Sequence, residues 1–219
     1  MNASLQNFKN SLQEQMLRIL WSGWSQLGVS GYASEDWNTV IDVEALILTT
    51  CFWGRYDQRL FDEMISWLFA NERFVNIQRL QSMIKKESFQ EYRLMGPVCR
   101  KLARKKLTPK WRGIENKLQK LASESNTGLF LMPDSDPLPI IGKTDDDFAA
   151  FGFLRLPFID RGLASSFQAG RPATLQLQLR AFFGVCSRAE IMLALIMNNR
   201  ASISQIATTS FYSWKSIQD

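Results

Sequence analysis

The chain has no histidine among its 219 residues. Histidine is the side chain that most often acts as a general base near neutral pH, and it is the commonest metal ligand. Glycine-rich phosphate loops and the strand-turn-helix motif of serine nucleophiles are missing as well. These absences argue against an enzyme, and we expect neither a bound metal nor a cofactor.

Cysteines and long apolar runs are also scarce. Cys51, Cys99 and Cys186 are widely spaced and form no CxxC pair, so neither a disulfide framework nor a zinc site is expected. The longest uncharged apolar runs, Ala45–Trp53 and Ile191–Met197, are far shorter than the roughly 20 residues that cross a bilayer. The first residues lack the pattern of a signal peptide. We therefore expect a soluble, cytoplasmic protein with no membrane partner.

The net charge of +5 is unevenly distributed along the chain. Arg79–Lys120 contains 13 Lys or Arg residues and three acids, whereas Asp134–Asp147 contains five Asp and one Lys. Two such segments indicate either a surface that faces a polyanion or two surfaces that contact each other. For nucleic acid, the stretch RKLARKK would supply a secondary basic patch, whose alternative is an ordinary solvated helix face. The patch consists of Arg100, Lys101, Arg104 and Lys105.

The spacing of apolar residues predicts a mainly α-helical protein, with residues 1–122 as a helical N-terminal domain. The predicted helices cover residues 4–27, 42–54, 57–68, 76–86, 89–105 and 109–122, with Ser4, Asp42, Asp57 and Thr108 as caps. Asp42 and Glu44 also resemble paired carboxylates that hold Mg²⁺. The position of Asp42 at a helix start favours capping instead.

Residues 123–171 have a different composition. Four of the seven prolines and five of the twelve glycines lie in this segment, and helical periodicity is lost. Stretches such as GLFLMP and FGFLRLPFI are nevertheless too hydrophobic for a free linker. We predict an extended connector that packs along neighbouring elements, with short strands as one option.

Helical periodicity resumes in residues 172–219. One helix is predicted to end at Gly184, and the next is predicted to begin at Ser187, with Glu190 completing a capping box. The last segment, ISQIATTSFYSWKSIQD, fits two short helices joined by a tight bend.

This last segment matches the spacing of a helix-turn-helix motif. The motif needs a small residue where the two helices cross, apolar residues on their inner sides and a polar outer side on the second helix. Two positions depart from the pattern, because Phe211 stands where glycine is usual and Ser210 stands where an apolar residue is usual. The positions that fit are Ile206, Ala207, Tyr212 and Ile217.

Together with the helix before it, the stretch SRAEIMLALIMNNRASISQIATTSFYSWKSIQD resembles the core of bacterial winged-helix transcriptional regulators. The resemblance covers about residues 185–219. It implies an incomplete C-terminal winged helix-turn-helix module in residues 172–219, which would follow the helical N-terminal domain predicted from apolar spacing. It stops within the recognition helix, before the β-hairpin wing, so we expect the chain to be a fragment.

The resemblance implies a DNA-binding transcriptional regulator whose recognition helix enters the major groove of double-stranded DNA. The residues that would face base edges are Ser213, Trp214, Lys215 and Gln218, and those that would meet phosphates are Arg200, Ser202, Ser204 and Lys215. The alternative is a non-enzymatic protein-protein interaction module, in which the helical N-terminal domain binds a protein partner and the C-terminal helices are scaffold. The sequence leaves a homodimer open.

Overall fold

A computed structural model describes residues 3–31, 38–87, 90–106, 109–120, 126–198 and 200–218. In these ranges the chain is mainly helical, as the sequence predicts. The α-helices are α1 (Ala3–Gln26), α2 (Val43–Trp53), α3 (Gln58–Asn71), α4 (Ile77–Glu87), α5 (Met95–Lys106), α6 (Pro109–Gln119), α7 (Asp146–Ala149), α8 (Leu175–Phe183), α9 (Ser187–Asn198), α10 (Ile203–Ser210) and α11 (Trp214–Gln218). None of these helices, within the ranges given, is long and apolar enough to cross a membrane.

Helix α2 lies in the core because its apolar side chains surround its axis. Val43, Ile47 and Cys51 are completely buried. The helix begins at Asp42, whose carboxylate accepts a hydrogen bond from the N–H of Ala45 at 3.0 Å. The prediction that Asp42 is a cap is therefore confirmed.

Two buried tryptophans pack α1 and α3 against this core. The rings of Trp24 and Trp67 lie 5.4 Å apart between centroids. Trp24 donates its indole hydrogen to the Thr50 hydroxyl, and Trp67 donates to the Leu27 carbonyl, each at 2.9 Å. A buried indole is stabilised in this way because its polar N–H is not left unpaired. Asp57 caps α3 by accepting from a backbone N–H, again as predicted.

The connector of residues 123–171 packs into the same core where the structure describes it. Leu129, Phe130, Phe148 and Phe153 belong to one apolar cluster that also contains side chains of α1 to α6 and α8. Two short strands, β1 (Thr127–Gly128) and β2 (Phe153–Leu154), pair in parallel, with Thr127 opposite Phe153. The described part of the connector thus contains buried apolar side chains and two short strands, together with the short helix α7.

Three local predictions were wrong. Helix α1 already includes the residue before Ser4, so Ser4 lies inside the helix. Helix α9 includes Ser187, and the Glu190 carboxylate binds an arginine of α8 rather than closing a capping box. The first basic helix begins at Met95, after a 3₁₀ turn. Thr108 lies outside the described residues.

A second, smaller apolar cluster forms after α8. It consists of Ala194, Ile206, Ala207 and Ile217, contributed by α9, α10 and α11. Leu177 of α8, by contrast, belongs to the main core. We refer to α9–α11, residues 187–218, as the C-terminal unit.

Candidate nucleic-acid interface

The three helices of the C-terminal unit pack around its small apolar cluster. Ile206 and Ala207 of α10 and Ile217 of α11 are buried, as the sequence predicts for the inner positions of a helix-turn-helix. Helices α10 and α11 contain eight and five residues. Helices this short are marginal on their own, so tertiary packing must stabilise them.

The turn between α10 and α11 is formed by a residue in the left-handed conformation. Phe211 has φ 59° and ψ 23°, at the motif position where glycine is usual. For a residue with a side chain, this conformation costs roughly 1–2 kcal/mol. The Phe211 ring packs against the main core, and the cationic groups of Arg79 and Lys86 each lie 5.4 Å from its centroid. These contacts compensate for strain that glycine would avoid.

Helix α10 begins with a capping box that sequence analysis missed. The Ser202 hydroxyl accepts a hydrogen bond from the N–H of Gln205 at 3.2 Å, and the Gln205 side chain accepts from the N–H of Ser202 at 2.8 Å. The hydroxyl hydrogen of Ser202 can still be donated to a phosphate. Ser204, the other serine predicted to meet phosphate, is exposed in the first turn of the helix.

Helix α11 presents its predicted recognition residues to solvent. Ser213, Trp214, Lys215 and Gln218 are all exposed, and 54% of the Trp214 surface is accessible. The Ser213 hydroxyl accepts from the N–H of Ser216 at 3.1 Å and so helps to begin the helix. All four side chains are thus accessible to a partner, whereas Ile217, the inner residue of α11, is buried.

The exposed charges of the C-terminal unit are all basic. Arg188, Arg200 and Lys215 are exposed. The one acid between residues 187 and 218 is Glu190, and it is buried. A phosphate backbone that approaches this surface meets positive charge and no exposed carboxylate from this segment.

A buried network of charged side chains joins the C-terminal unit to the helices before it. Arg180 of α8 donates to both oxygens of Glu44, at 2.7 and 2.8 Å, and to Glu190 at 2.6 and 2.8 Å. Arg79 of α4 donates to Glu44 at 2.7 Å and to both oxygens of Asp42. Asp42 and Glu44 are therefore held by two guanidinium groups, ion pairs that the sequence did not predict, while Asp42 also caps α2 as predicted.

The network shifts the pKa values of Asp42 and Arg180. Burial by itself would raise the pKa of the Asp42 carboxyl, but the hydrogen bonds and charge of Arg79 hold that pKa below its ordinary value. Burial would likewise lower the pKa of the Arg180 guanidinium, but Glu44 and Glu190 outweigh burial and raise it.

The network also reaches the turn of the C-terminal unit. Arg79 donates through Nε to the Ser210 carbonyl at 3.2 Å, and the Asn76 side chain donates to the Tyr212 hydroxyl at 2.5 Å. Ser210 and Tyr212, the neighbours of Phe211 in the chain, are thus held by Arg79 of α4 and by Asn76, the residue that precedes α4. The orientation of α11 is set by the main core as well as by its own packing.

Sequence analysis missed this network because its partners are far apart in the chain. Glu44 lies 35 residues from Arg79 and 136 residues from Arg180. Local periodicity carries no information about such pairs. One signal was available in the sequence. Glu44 of the DVE stretch is an acid at a position that the helical pattern assigns to the core.

The secondary basic patch predicted from RKLARKK is paired with carboxylates. Arg100 contacts Glu115 at 2.8 Å, Lys101 contacts Asp145 at 2.7 Å and Asp147 at 3.1 Å, Arg104 contacts Asp147, and Lys105 contacts Asp160. The side chains of Arg100 and Lys101 are only 12% and 13% exposed, whereas those of Arg104 and Lys105 are 66% and 44% exposed. The basic and acidic segments therefore contact each other. Of the two interpretations of their charge, a polyanion-facing surface or two surfaces in mutual contact, the described residues show the contact.

Comparison of the chain with models of protein families, with curated proteins and with solved structures finds no match in any of the three. Function is therefore inferred from the geometry and charge of the described residues alone.

Proposed function

We propose that the chain is a DNA-binding regulator of transcription that binds duplex DNA through its C-terminal unit and performs no catalysis. Helix α11 enters the major groove, and the start of α10 lies against the phosphate backbone. The observation that carries the proposal is the left-handed turn at Phe211, which joins two short helices whose inner residues are buried and whose outer residues are exposed. A helix-turn-helix uses this arrangement to present its second helix to DNA.

The chemistry of the exposed side chains supports the same proposal. Lys215 can donate to the major-groove edge of guanine, and the Gln218 amide can pair with adenine. Arg200, Ser202 and Ser204 precede or begin α10, where donors to phosphate would fix the position of the unit on the duplex. Arg200 adds a charge that a polyanion attracts at long range.

Titration of a fluorescently labelled duplex with the chain at low salt tests the proposal. We expect binding that weakens steeply as salt is added, with dissociation constants of roughly 10⁻⁴ to 10⁻⁶ M for random sequence at physiological salt. Lys215→Ala should weaken binding and leave the free energy of unfolding within about 0.5 kcal/mol of the wild type. The matched control is Lys143→Ala, which changes an exposed lysine of the connector. It should change neither the affinity for duplex DNA nor the free energy of unfolding. A chain that binds no duplex at low salt excludes the proposed function.

An exposed apolar stripe favours the second candidate, a protein-interaction module. Leu5, Phe8, Leu12 and Ile19 lie on one side of α1 at helical spacing, and 64% of the Phe8 surface is accessible. Sedimentation at increasing concentration tests whether this stripe pairs two copies of the chain. Phe8→Asp should then abolish a concentration-dependent dimer without changing the affinity for duplex DNA.

A further inference from the structure

A pocket of about 280 Å³ lies between α3 and the segment that follows β2. Pro157, Ile159 and Arg161 form one wall. The other wall consists of α3 side chains that share one face of the helix: Gln58, Arg59, Asp62, Glu63 and Ser66. The volume exceeds the roughly 150 Å³ of a cavity that accommodates benzene, so a small organic molecule fits.

One oxygen of the buried Glu63 carboxylate has no hydrogen-bond donor among the described residues. Its residue is 5% exposed, and Oε2 accepts no hydrogen bond from any residue that the structure describes. The neighbouring Asp62 is different, since its two oxygens accept from the buried Arg155 at 2.6 and 3.0 Å. Buried polar atoms are almost always paired, so an unpaired carboxylate oxygen on a pocket wall points to a ligand that donates to it.

The opposite wall offers a guanidinium group that is also unpaired. Arg161 makes no hydrogen bond or ion pair with another residue of the described ranges. Arg59 is already engaged, because it donates to the Ser30 carbonyl at 3.4 Å and lies over the Trp21 ring at 5.4 Å. The pocket thus contains one free acceptor and one free cationic donor that are not bonded to each other.

The mixed charges around the pocket favour neither a simple cation nor a simple anion. A lone amine at Glu63 would face the positive charges of Arg59 and Arg161, and a lone carboxylate at Arg161 would face Asp62 and Glu63. A molecule with both charges satisfies both walls. Its aliphatic part would contact Pro157 and Ile159.

We propose that this pocket binds a small zwitterion with one ammonium and one carboxylate group, the chemistry of a free amino acid. The ammonium donates to Glu63 Oε2, and the carboxylate accepts a forked pair of hydrogen bonds from Arg161. The site is separate from the residues assigned to DNA.

The affinity of such a ligand depends on pH in a defined direction. Burial raises the pKa of Glu63, and the nearby charges of Arg59 and Arg161 partly oppose the rise, while those of Asp62 and Asp160 add to it. The ionised carboxylate is the form that accepts from an ammonium group. Affinity should therefore increase as the pH rises through the pKa of Glu63, and this dependence should disappear in Glu63→Gln.

Calorimetric titration of the full chain tests the site with glycine, β-alanine and 4-aminobutyrate, which differ in the separation of their charges. We expect saturable binding of at least one of them, and at least tenfold weaker binding of butylamine and butyrate. Glu63→Gln and Arg161→Gln should each weaken binding of that zwitterion at least tenfold. Arg112→Gln, an exposed arginine of α6, is the control and should leave it unchanged.

Amide chemical shifts locate the binding and show that the variants are folded. The bound zwitterion should shift the amides of Ser66 and Ile159 in the wild type, and the variant spectra should otherwise match the wild type. Absence of saturable binding for all three zwitterions at millimolar concentration overturns the proposal. It is equally overturned if butylamine binds as tightly as the zwitterion, or if neither pocket variant weakens binding. Duplex affinity is measured in the same samples and tests the proposed function separately, whether or not a zwitterion binds.

Discussion

At the scale of the residue, Arg180 connects more of the molecule than any local pattern suggests. It is completely buried in α8, pairs with Glu44 and Glu190, and donates to the Phe74 carbonyl at 2.9 Å. Each partner comes from a different element. A guanidinium suits this position because its planar set of donors can serve several acceptors at once.

Removing this guanidinium should destabilise the fold strongly. Arg180→Met leaves two buried carboxylates without its charge, and we expect the free energy of unfolding to fall by about 3–5 kcal/mol in urea denaturation. The matched control is Arg104→Met, since Arg104 pairs with Asp147 but is mostly exposed. Its loss should cost about 0–1 kcal/mol. Equal effects of the two substitutions would show that the network does not hold the C-terminal unit.

Asp145 gives stability a predictable dependence on pH. Burial would raise the pKa of its carboxyl, but Lys101 and the N–H groups of Phe158 and Asp147 hold the pKa below the ordinary value of about 3.9. The folded state therefore binds fewer protons than the unfolded state. The contribution is present above that ordinary value and is lost as the pH falls through the lowered pKa.

Lys101→Met should remove much of this dependence. In urea denaturation between about pH 5 and pH 2, the variant should lose less stability than the wild type, because its Asp145 pKa is closer to the unfolded value. Lys143→Met, which changes an exposed lysine, should follow the wild-type curve. Parallel curves for Lys101→Met and the wild type would contradict the assignment.

At the scale of the element, helices were predictable and their ends were less so. The 3.6-residue spacing of apolar side chains predicts each long helix, and Asp42 and Asp57 mark two starts correctly because an aspartate cap acts within four residues. Ser187 and Glu190 have the spacing of a capping box, but the predicted cap at Ser187 was wrong because α9 already includes that residue. The Glu190 carboxylate is buried and accepts hydrogen bonds from Arg180 of α8 instead.

The capping box of α10 can be tested by comparing two exposed serines. Ser202→Ala removes the acceptor for the N–H of Gln205, and we expect the unit to lose about 1 kcal/mol. Ser204→Ala removes only an exposed side chain and should stay within about 0.5 kcal/mol. Hydrogen exchange of the α10 amides measures both effects locally. Identical protection in the two variants would count against the cap.

At the scale of the whole molecule, the sequence predicts the parts better than their contacts. Composition alone indicates a packed connector, since its apolar stretches need a surface to cover. The exposure of the residues proposed for DNA recognition follows from helical spacing once a turn is placed at Phe211. The network of Glu44, Arg79 and Arg180 does not follow, because ion pairs between distant residues leave no periodic trace. The unpaired Glu63 likewise becomes visible only when its surroundings are known.

The contact between the basic and acidic segments determines which cations would be free for the proposed binding of DNA. Arg104 and Lys105 already face Asp147 and Asp160, so a phosphate would have to compete with a carboxylate for each of them. Arg200 and Lys215 have no ion pair with any described residue. Counterion release, and therefore the salt dependence of binding, should come from the second pair.

Two double variants measure this difference on one duplex. Arg200→Gln with Lys215→Gln should reduce the slope of log affinity against log salt by up to about 1.8, because each phosphate that is no longer neutralised lowers the slope by about 0.9. Arg104→Gln with Lys105→Gln removes the same charge from the chain, so a general effect of net charge would appear in both. We expect the salt slope of the Arg104→Gln, Lys105→Gln variant to equal that of the wild type. If the slope instead falls in the second variant alone, the basic segment of α5 contacts the phosphates and α11 does not lie in the groove.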